Sequence, residues 1–141
     1  MLPASEEANV TQSSEAIAQS LLRSIGAARG GDKPYRHWFM TDCLPAATLA
    51  AVTTLPFDAP DLDGVSGKRE LHNNTRRYFD ADNQRKFDSV RAVAEALQDR
   101  RVVDRFANTF KTTLEGSYLR IEYAQDTDGF WLEPHTDLGV K

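Results

Sequence analysis

The first clear pattern of hydrophobic positions in the chain has the period of a helix. Ile17, Leu21 and Ile25 recur every four residues, so they share one face of a helix. Ser13 or Ser14 is suited to cap its first turn, because a side-chain oxygen accepts a hydrogen bond from a backbone N–H there. The glycines and the proline of the sequence RGGDKP predict where this helix ends.

Two amphipathic helices are predicted further along the chain. The first runs from about Asn83 to Asp99, and its apolar face consists of Phe87, Val90, Ala94 and Leu97. The second ends before Gly116, and its apolar face consists of Val103, Phe106, Phe110 and Leu114. A shorter helix from about Leu44 to Leu55, with Asp42 as its cap, is predicted before them.

After Gly116 the period of the pattern changes from 3.6 residues to two. Leu119, Ile121 and Tyr123 alternate with their neighbours in YLRIEYA, which predicts a strand with these three side chains on its core face. A polar turn, AQDTDG, and a second extended stretch, FWLEPHTD, follow. Short strands are also predicted at YRHWFMTD and TRRYFD, so helices precede most of the sheet and an α+β domain is indicated.

A chain of 141 residues is long enough for one domain with a hydrophobic core. Residues 1–12 are polar, small and aperiodic, which predicts a flexible N-terminal tail. The single domain would then occupy residues 13–141.

Charge and composition exclude several classes of protein. The formal net charge of -4 argues against a nucleic-acid-binding protein, which needs a clustered basic surface. The sequence has no apolar run of about 18 residues, and its first residues lack the pattern of a signal peptide, so no membrane association is predicted. The single cysteine, Cys43, fits a reducing compartment, and we expect a cytoplasmic protein.

The candidate chemistry lies at His135 and Asp137. Residues at positions i and i+2 of a strand point to the same face, so this pair can direct an imidazole nitrogen and a carboxylate oxygen at one point. With a histidine from elsewhere they make the facial triad of non-haem Fe(II) oxygenases. The bare motif is weak, since chance produces it in about one of four chains of this composition. The simpler interpretation is a surface pair joined by a local hydrogen bond.

The sequence YLRIEYAQDTDGFWLEPHTDLGVK resembles the first iron-binding strands of the 2-oxoglutarate- and Fe(II)-dependent oxygenases, in their prolyl-hydroxylase-like group. The likeness is specific over about residues 117–141 and is only architectural before them. It implies N-terminal helices packed on a double-stranded β-helix, a cupin-like jelly-roll, of which this chain contains the first strands. It also implies that His135 and Asp137 are iron ligands and that 2-oxoglutarate and O₂ are co-substrates of a hydroxylase.

Four further residues are candidates for the pocket. By resemblance, Tyr123 contacts 2-oxoglutarate; the alternative is a core tyrosine with a satisfied hydroxyl. Trp131 shares strand parity with His135 and either lines the pocket or packs in the core. Asn74 and Arg76, in the polar sequence HNNTRRYFD, either touch substrate or belong to a solvated loop.

The chain departs from the family in one respect. The family's second iron-binding histidine and the basic residue that holds 2-oxoglutarate lie downstream of the His-x-Asp pair, whereas the sequence ends at Lys141. His37 and His72 lie upstream, in the wrong order, so neither is assigned as third ligand. A fragment of a longer oxygenase, a site completed by a second chain and an inactive remnant are the three explanations, and the fragment is favoured.

Two functions follow from these observations. The first is a dioxygenase that hydroxylates an unidentified substrate with Fe(II) and 2-oxoglutarate. The second is a non-catalytic binding or assembly module on the same fold, which pairs with another chain through exposed strand edges. Loss of activity on removal of the His135 imidazole distinguishes the first from the second.

Overall fold

The computed structural model describes residues 13–59, 61 and 76–134. These residues form five helices and four short strands. The chain divides into two compact units, one of Met1–Leu55 with Phe79–Ile121 and the other of Pro56–Tyr78 with Glu122–Lys141. The predicted tail, residues 1–12, and most of the predicted loop before residue 76 lie outside the described residues.

The first helix, α1, spans Ser14–Gly26 as the hydrophobic period predicts. The Ser13 hydroxyl caps it by accepting a hydrogen bond from the Ala16 N–H at 3.2 Å. Ile17, Leu21 and Ile25 are all buried. The prediction of this helix, its cap and its buried face is confirmed.

The helix predicted from Asn83 to Asp99 is two helices in the structure, α3 (Ala81–Lys86) and α4 (Asp88–Leu97). Phe87 separates them with an extended backbone, φ -129° and ψ 115°. The Asp80 carboxylate caps α3 and the Asp88 carboxylate lies in the first turn of α4, so an acidic side chain stabilises each N-terminus. The segment before Phe87, ADNQRK, is polar apart from Ala81 and buries no side chain, so a hydrophobic period that begins at Phe87 could not reveal the break.

Helix α5 spans Arg100–Phe110 and ends earlier than predicted. Lys111 adopts a left-handed backbone conformation with φ 52°, and its N–H donates to the Ala107 carbonyl, which closes the helix. Leu114 therefore lies beyond the helix and is exposed, and its predicted place on the apolar face is wrong. Val102, rather than Val103, is the valine that α5 buries completely.

Helix α2 spans Ala46–Thr53, within the predicted range. Asp42 does not cap it: Pro45 stands at the capping position, and Asp42 takes a left-handed backbone conformation with φ 55°. Helix α1 packs against α4 and α5, and α2 packs against α4. The core of this unit consists of Ile17, Ala18, Leu21, Ile25, Thr48, Phe79, Val90, Ala92, Val93, Ala94, Ala96 and Val102. Helices this short are stable only through such packing.

A two-stranded antiparallel sheet joins β1 (Arg29–Gly31) to β2 (His37–Phe39) in the same unit. Gly30 lies opposite Trp38, and a Cβ at that glycine would stand 2.9 Å from the indole Nε1. Glycine is therefore needed for the ring to lie across the neighbouring strand. Trp38 in turn contacts Phe110 of α5, with ring centroids 4.8 Å apart.

The second unit contains β3 (Arg77–Tyr78) and β4 (Glu122–Tyr123), which pair antiparallel. The strand predicted from YLRIEYA is thus confirmed only at its end. Leu119 is 47% exposed, so its predicted place on a core face is wrong. Residues 111–120 are all exposed, and an alternating sequence buries one face only where another layer covers it.

Mixed helix and antiparallel sheet confirm the α+β class for the residues described. The sheets found there have two strands each, and a jelly-roll is not seen among these residues. None of the described helices is both long enough and apolar enough to cross a membrane.

A network of charges joins the N-terminal ends of α1 and α5. The Arg101 guanidinium lies 2.6 Å from Glu15 Oε2 and 2.7 Å from Asp99 Oδ2. Hydrogen bonds from this guanidinium and from the Arg101 backbone N–H lower the pKa of the Asp99 carboxyl to about 2. The same guanidinium lowers the pKa of Glu15.

We predict that replacing Ile17, which is fully buried, with alanine lowers the free energy of unfolding by about 3 kcal/mol, because the change leaves a cavity. Urea denaturation followed by circular dichroism measures this change. The matched control is Leu49→Ala in α2, a residue 51% exposed, which should cost less than about 1 kcal/mol. Equal effects of the two changes would contradict the assignment of the core.

The carboxylates around Arg101 predict a loss of stability in acid. The pKa values of both carboxylates are lower in the folded chain than in the unfolded one. Their contribution is therefore complete above the ordinary pKa values, 4.5 for Glu15 and 3.8 for Asp99, and the part from Asp99 is lost as the pH falls towards about 2. In urea denaturation between pH 5 and pH 2, Arg101→Gln should flatten this dependence. Arg100→Gln is the control, since Arg100 pairs with Asp104 alone at an exposed site, and it should leave the dependence unchanged.

Candidate functional site

Tyr123 lies on β4, in the second unit, with Arg77 of β3 as its partner in the ladder. Its side chain is half-buried. The phenol ring meets the Phe57 ring edge to face, with centroids 5.2 Å apart and planes inclined at 78°. An aromatic neighbour of this kind restricts the directions that the Tyr123 ring can take.

Gln125 follows Tyr123 by two residues and contacts the same segment of chain. Its Nε2 donates hydrogen bonds to the carbonyl oxygens of Phe57, at 3.0 Å, and of Asp58, at 3.1 Å. Alternate residues of an extended chain point to the same side, so both Tyr123 and Gln125 face the segment 57–58. The backbone at Phe57 is thus fixed by the same extended stretch that carries the tyrosine.

Arg76 lies on the opposite face of this strand pair. Its Nη1 is 2.7 Å from Glu122 Oε1, and both side chains are mostly buried, with 30% and 23% exposed. Glu122 neighbours Tyr123 in the strand, so the two side chains point to opposite faces. The structure therefore pairs Arg76 with Glu122 and does not bring it together with Tyr123.

A turn follows the strand, as the sequence AQDTDG predicts. The Phe130 N–H donates to the Thr127 carbonyl at 2.9 Å, and Gly129 has φ +81°, a conformation that favours glycine. Trp131 comes next and is 58% exposed, and Leu132 forms a β-bridge. The turn is confirmed, whereas the extended stretch predicted after it shows only the bridge at Leu132 among the residues described up to Pro134. The place of Trp131 in a pocket wall remains a prediction.

His135, Asp137 and Asn74 lie outside the described residues, and their roles remain predictions. Among the residues that the structure does describe, no three His, Cys, Asp or Glu side chains lie close enough to hold a metal ion. His37 is placed between the rings of Tyr35 and Phe39, and its Nδ1 lies 2.8 Å from the Tyr35 carbonyl. These contacts agree with the structural role that its aromatic strand suggests.

Sequence reasoning missed three residues of this region: Phe57, Glu122 and Gln125. Phe57 follows a proline in a segment that reads as loop, and its contact with Gln125 joins positions 68 residues apart. A local pattern holds no signal for such a pairing. Glu122 carried one signal, because an acidic residue on a strand beside the basic pair Arg76–Arg77 is a candidate ion pair.

Comparison of the chain with models of protein families, with curated proteins and with solved structures finds no match.

The ion pair between Arg76 and Glu122 predicts a measurable coupling. In a double-mutant cycle with Arg76→Met and Glu122→Gln, we expect a coupling energy of about 1 kcal/mol, because both groups are largely buried and adjacent across the strands. Urea denaturation of the four proteins measures it. The exposed pair Arg100 and Asp104, changed in the same way, serves as the control and should give a smaller coupling. Additive effects at Arg76 and Glu122 would contradict the pairing.

Proposed function

We propose that the chain carries the first iron-binding strands of a 2-oxoglutarate- and Fe(II)-dependent oxygenase, which hydroxylates a substrate that remains to be identified. The observation that supports this most directly is the order of elements before His135. A paired strand bearing Tyr123, a turn with glycine at a positive φ and a β-bridge at Leu132 follow one another, in the order that the family's strands and turn have. The double-stranded β-helix belongs to the same proposal.

The donor set suits Fe(II). His135 provides an imidazole nitrogen and Asp137 a carboxylate oxygen, and this pair with one more histidine is the facial ligand set of non-haem iron oxygenases. Bound together, iron and 2-oxoglutarate supply the oxidising power to hydroxylate a C–H bond with O₂. In this proposal His135 and Asp137 would hold the metal.

Tyr123 contacts 2-oxoglutarate in this proposal. A phenol donates one hydrogen bond through its hydroxyl and offers an apolar ring face, which suits an acidic co-substrate in a pocket that excludes water. The half-buried position of Tyr123 and the aromatic contact with Phe57 support the role, because they hold the ring on one side of the strand. Trp131 lines the pocket in this proposal.

Arg76 has a different place in the proposal. Glu122 neutralises its charge at 2.7 Å, so it is better suited to hold β3 and β4 together than to bind an anion. Direct contact with substrate at this edge is left to Asn74 in the proposal.

A second function, a non-catalytic assembly module, is favoured by one observation. The sheets among the described residues have two strands each; Phe39 on β2 is 64% exposed, and Tyr35, two residues before that strand, is 71% exposed. Aromatic side chains on an exposed strand suit pairing with a second chain that completes the sheet. In that case the metal ligands contribute nothing to the function.

Replacing His135 or Asp137 with alanine should reduce succinate formation from 2-oxoglutarate at least about a hundredfold, because each change removes an iron ligand. The assay uses the full natural chain with Fe(II), 2-oxoglutarate and O₂, and measures turnover of 2-oxoglutarate without a second substrate. His37→Ala is the matched control and should stay within about twofold of the unsubstituted protein.

Unchanged turnover in His135→Ala would contradict the iron role. If the unsubstituted protein forms no succinate in the presence of 2-oxoglutarate, the oxygenase proposal fails and the assembly module takes its place.

A further inference from the structure

We infer that Phe57 and Gln125 are positioning residues for 2-oxoglutarate, which act by holding the ring of Tyr123 in its binding orientation. The inference rests on the proposed function, since it requires that Tyr123 contact the co-substrate. It assigns a role to a segment around residue 57 that sequence reasoning took as loop.

The contacts that carry this inference all lie within the second unit. Gln125 fixes the backbone of Phe57 and Asp58 through two hydrogen bonds from one amide nitrogen, at 3.0 and 3.1 Å. Phe57 in turn presents its ring to Tyr123 at 5.2 Å with the planes nearly perpendicular. Because Gln125 and Tyr123 lie two residues apart on one extended stretch, the loop segment is held against the strand at both positions.

The geometry of this set restrains rotation of the tyrosine. A phenol ring turns about two side-chain bonds, and its hydroxyl lies at the far end, so a small rotation moves the hydroxyl furthest. A displacement of about 1 Å is enough to weaken a hydrogen bond to a ligand. The Phe57 ring blocks one direction of rotation, and Gln125 holds the backbone that carries this ring.

The contacts that restrain the Tyr123 ring lie on one face of the β3–β4 pair. Arg76 and Glu122 lie on the other face and contact each other at 2.7 Å. Their ion pair stabilises the pairing of β3 with β4. Neither side chain has a described contact with the segment 57–58. Loss of Arg76 should therefore affect stability, whereas loss of Phe57 should affect the binding of 2-oxoglutarate.

The test measures two constants for 2-oxoglutarate in the full natural chain. One is the KM in the succinate assay; the other is the Kd from isothermal titration calorimetry of the Fe(II)-loaded protein without O₂. Phe57→Leu removes the aromatic edge and keeps an apolar side chain. It should raise both constants about two- to tenfold, the range expected for one aromatic contact.

Three further variants make the test specific. Gln125→Glu replaces the donating amide with a carboxylate oxygen, which cannot donate to the two carbonyls and is repelled by them. It should therefore raise both constants, as Phe57→Leu does. Phe57→Tyr keeps the aromatic ring and should restore both constants to within about twofold of the unsubstituted protein. Phe39→Leu, at a phenylalanine 64% exposed on β2, is the matched control and should change neither.

The separate values of kcat and KM distinguish positioning from a general structural role. If Phe57 only stabilises the fold, Phe57→Leu lowers kcat through loss of active protein and leaves KM and Kd unchanged. A positioning role gives the reverse, with kcat within about twofold and both constants raised.

The outcomes also separate this inference from the proposed function. If the unsubstituted protein forms succinate, His135→Ala does not, and Phe57→Leu binds 2-oxoglutarate with normal affinity, the positioning role is overturned and the oxygenase stands. If the unsubstituted protein neither forms succinate nor binds 2-oxoglutarate, both are overturned.

Discussion

The pairing of Arg77 with Tyr123 and of Tyr78 with Glu122 is the contact on which the candidate site depends, because it decides which side chains share a face. Strands of two residues contribute too few backbone hydrogen bonds to be stable alone. Side-chain contacts on both faces of the strand pair supply the remaining stability. On one face Arg76 pairs with Glu122, and on the other the Phe57 ring packs against Tyr123 while Gln125 bonds to the Phe57 backbone. A shift of register by one residue would exchange these faces and separate the tyrosine from its aromatic neighbour.

The helical unit is stabilised in a different way. Its helices α1, α4 and α5 are short, and they bury small and branched side chains between them, with Ile17, Val90 and Val102 fully inaccessible. Charges at the surface add a pH-dependent contribution through Arg101, which joins the start of α1 to the start of α5. The packing of this unit is complete without the residues to which chemistry is assigned.

The helices could be predicted from the sequence because they depend on local spacing. The period of α1 is evident from the spacing of Ile17, Leu21 and Ile25, and its start from the capping residue Ser13. The errors in the helix boundaries arise where the backbone conformation of a single residue decides the outcome, because a hydrophobic period does not encode it. These residues are Phe87, which is extended, and Lys111 and Asp42, which have positive φ. The faces of the strand at residues 118–123 depend on what covers them, so Leu119 was misplaced. The sequence did not predict the contact between Phe57 and Gln125, because it joins distant positions. Tyr123 was a candidate through the family resemblance, and its role stays a prediction.

Iron binding is the claim on which the proposed oxygenase depends most directly, and the number of Fe(II) ions bound per chain tests it. Equilibrium dialysis of the full natural chain without O₂ gives that number, and addition of 2-oxoglutarate shows whether the two ligands bind together. The account predicts one Fe(II) per site, bound more tightly when 2-oxoglutarate is present, because both occupy the same centre. Absence of Fe(II) binding at any concentration of 2-oxoglutarate would contradict it.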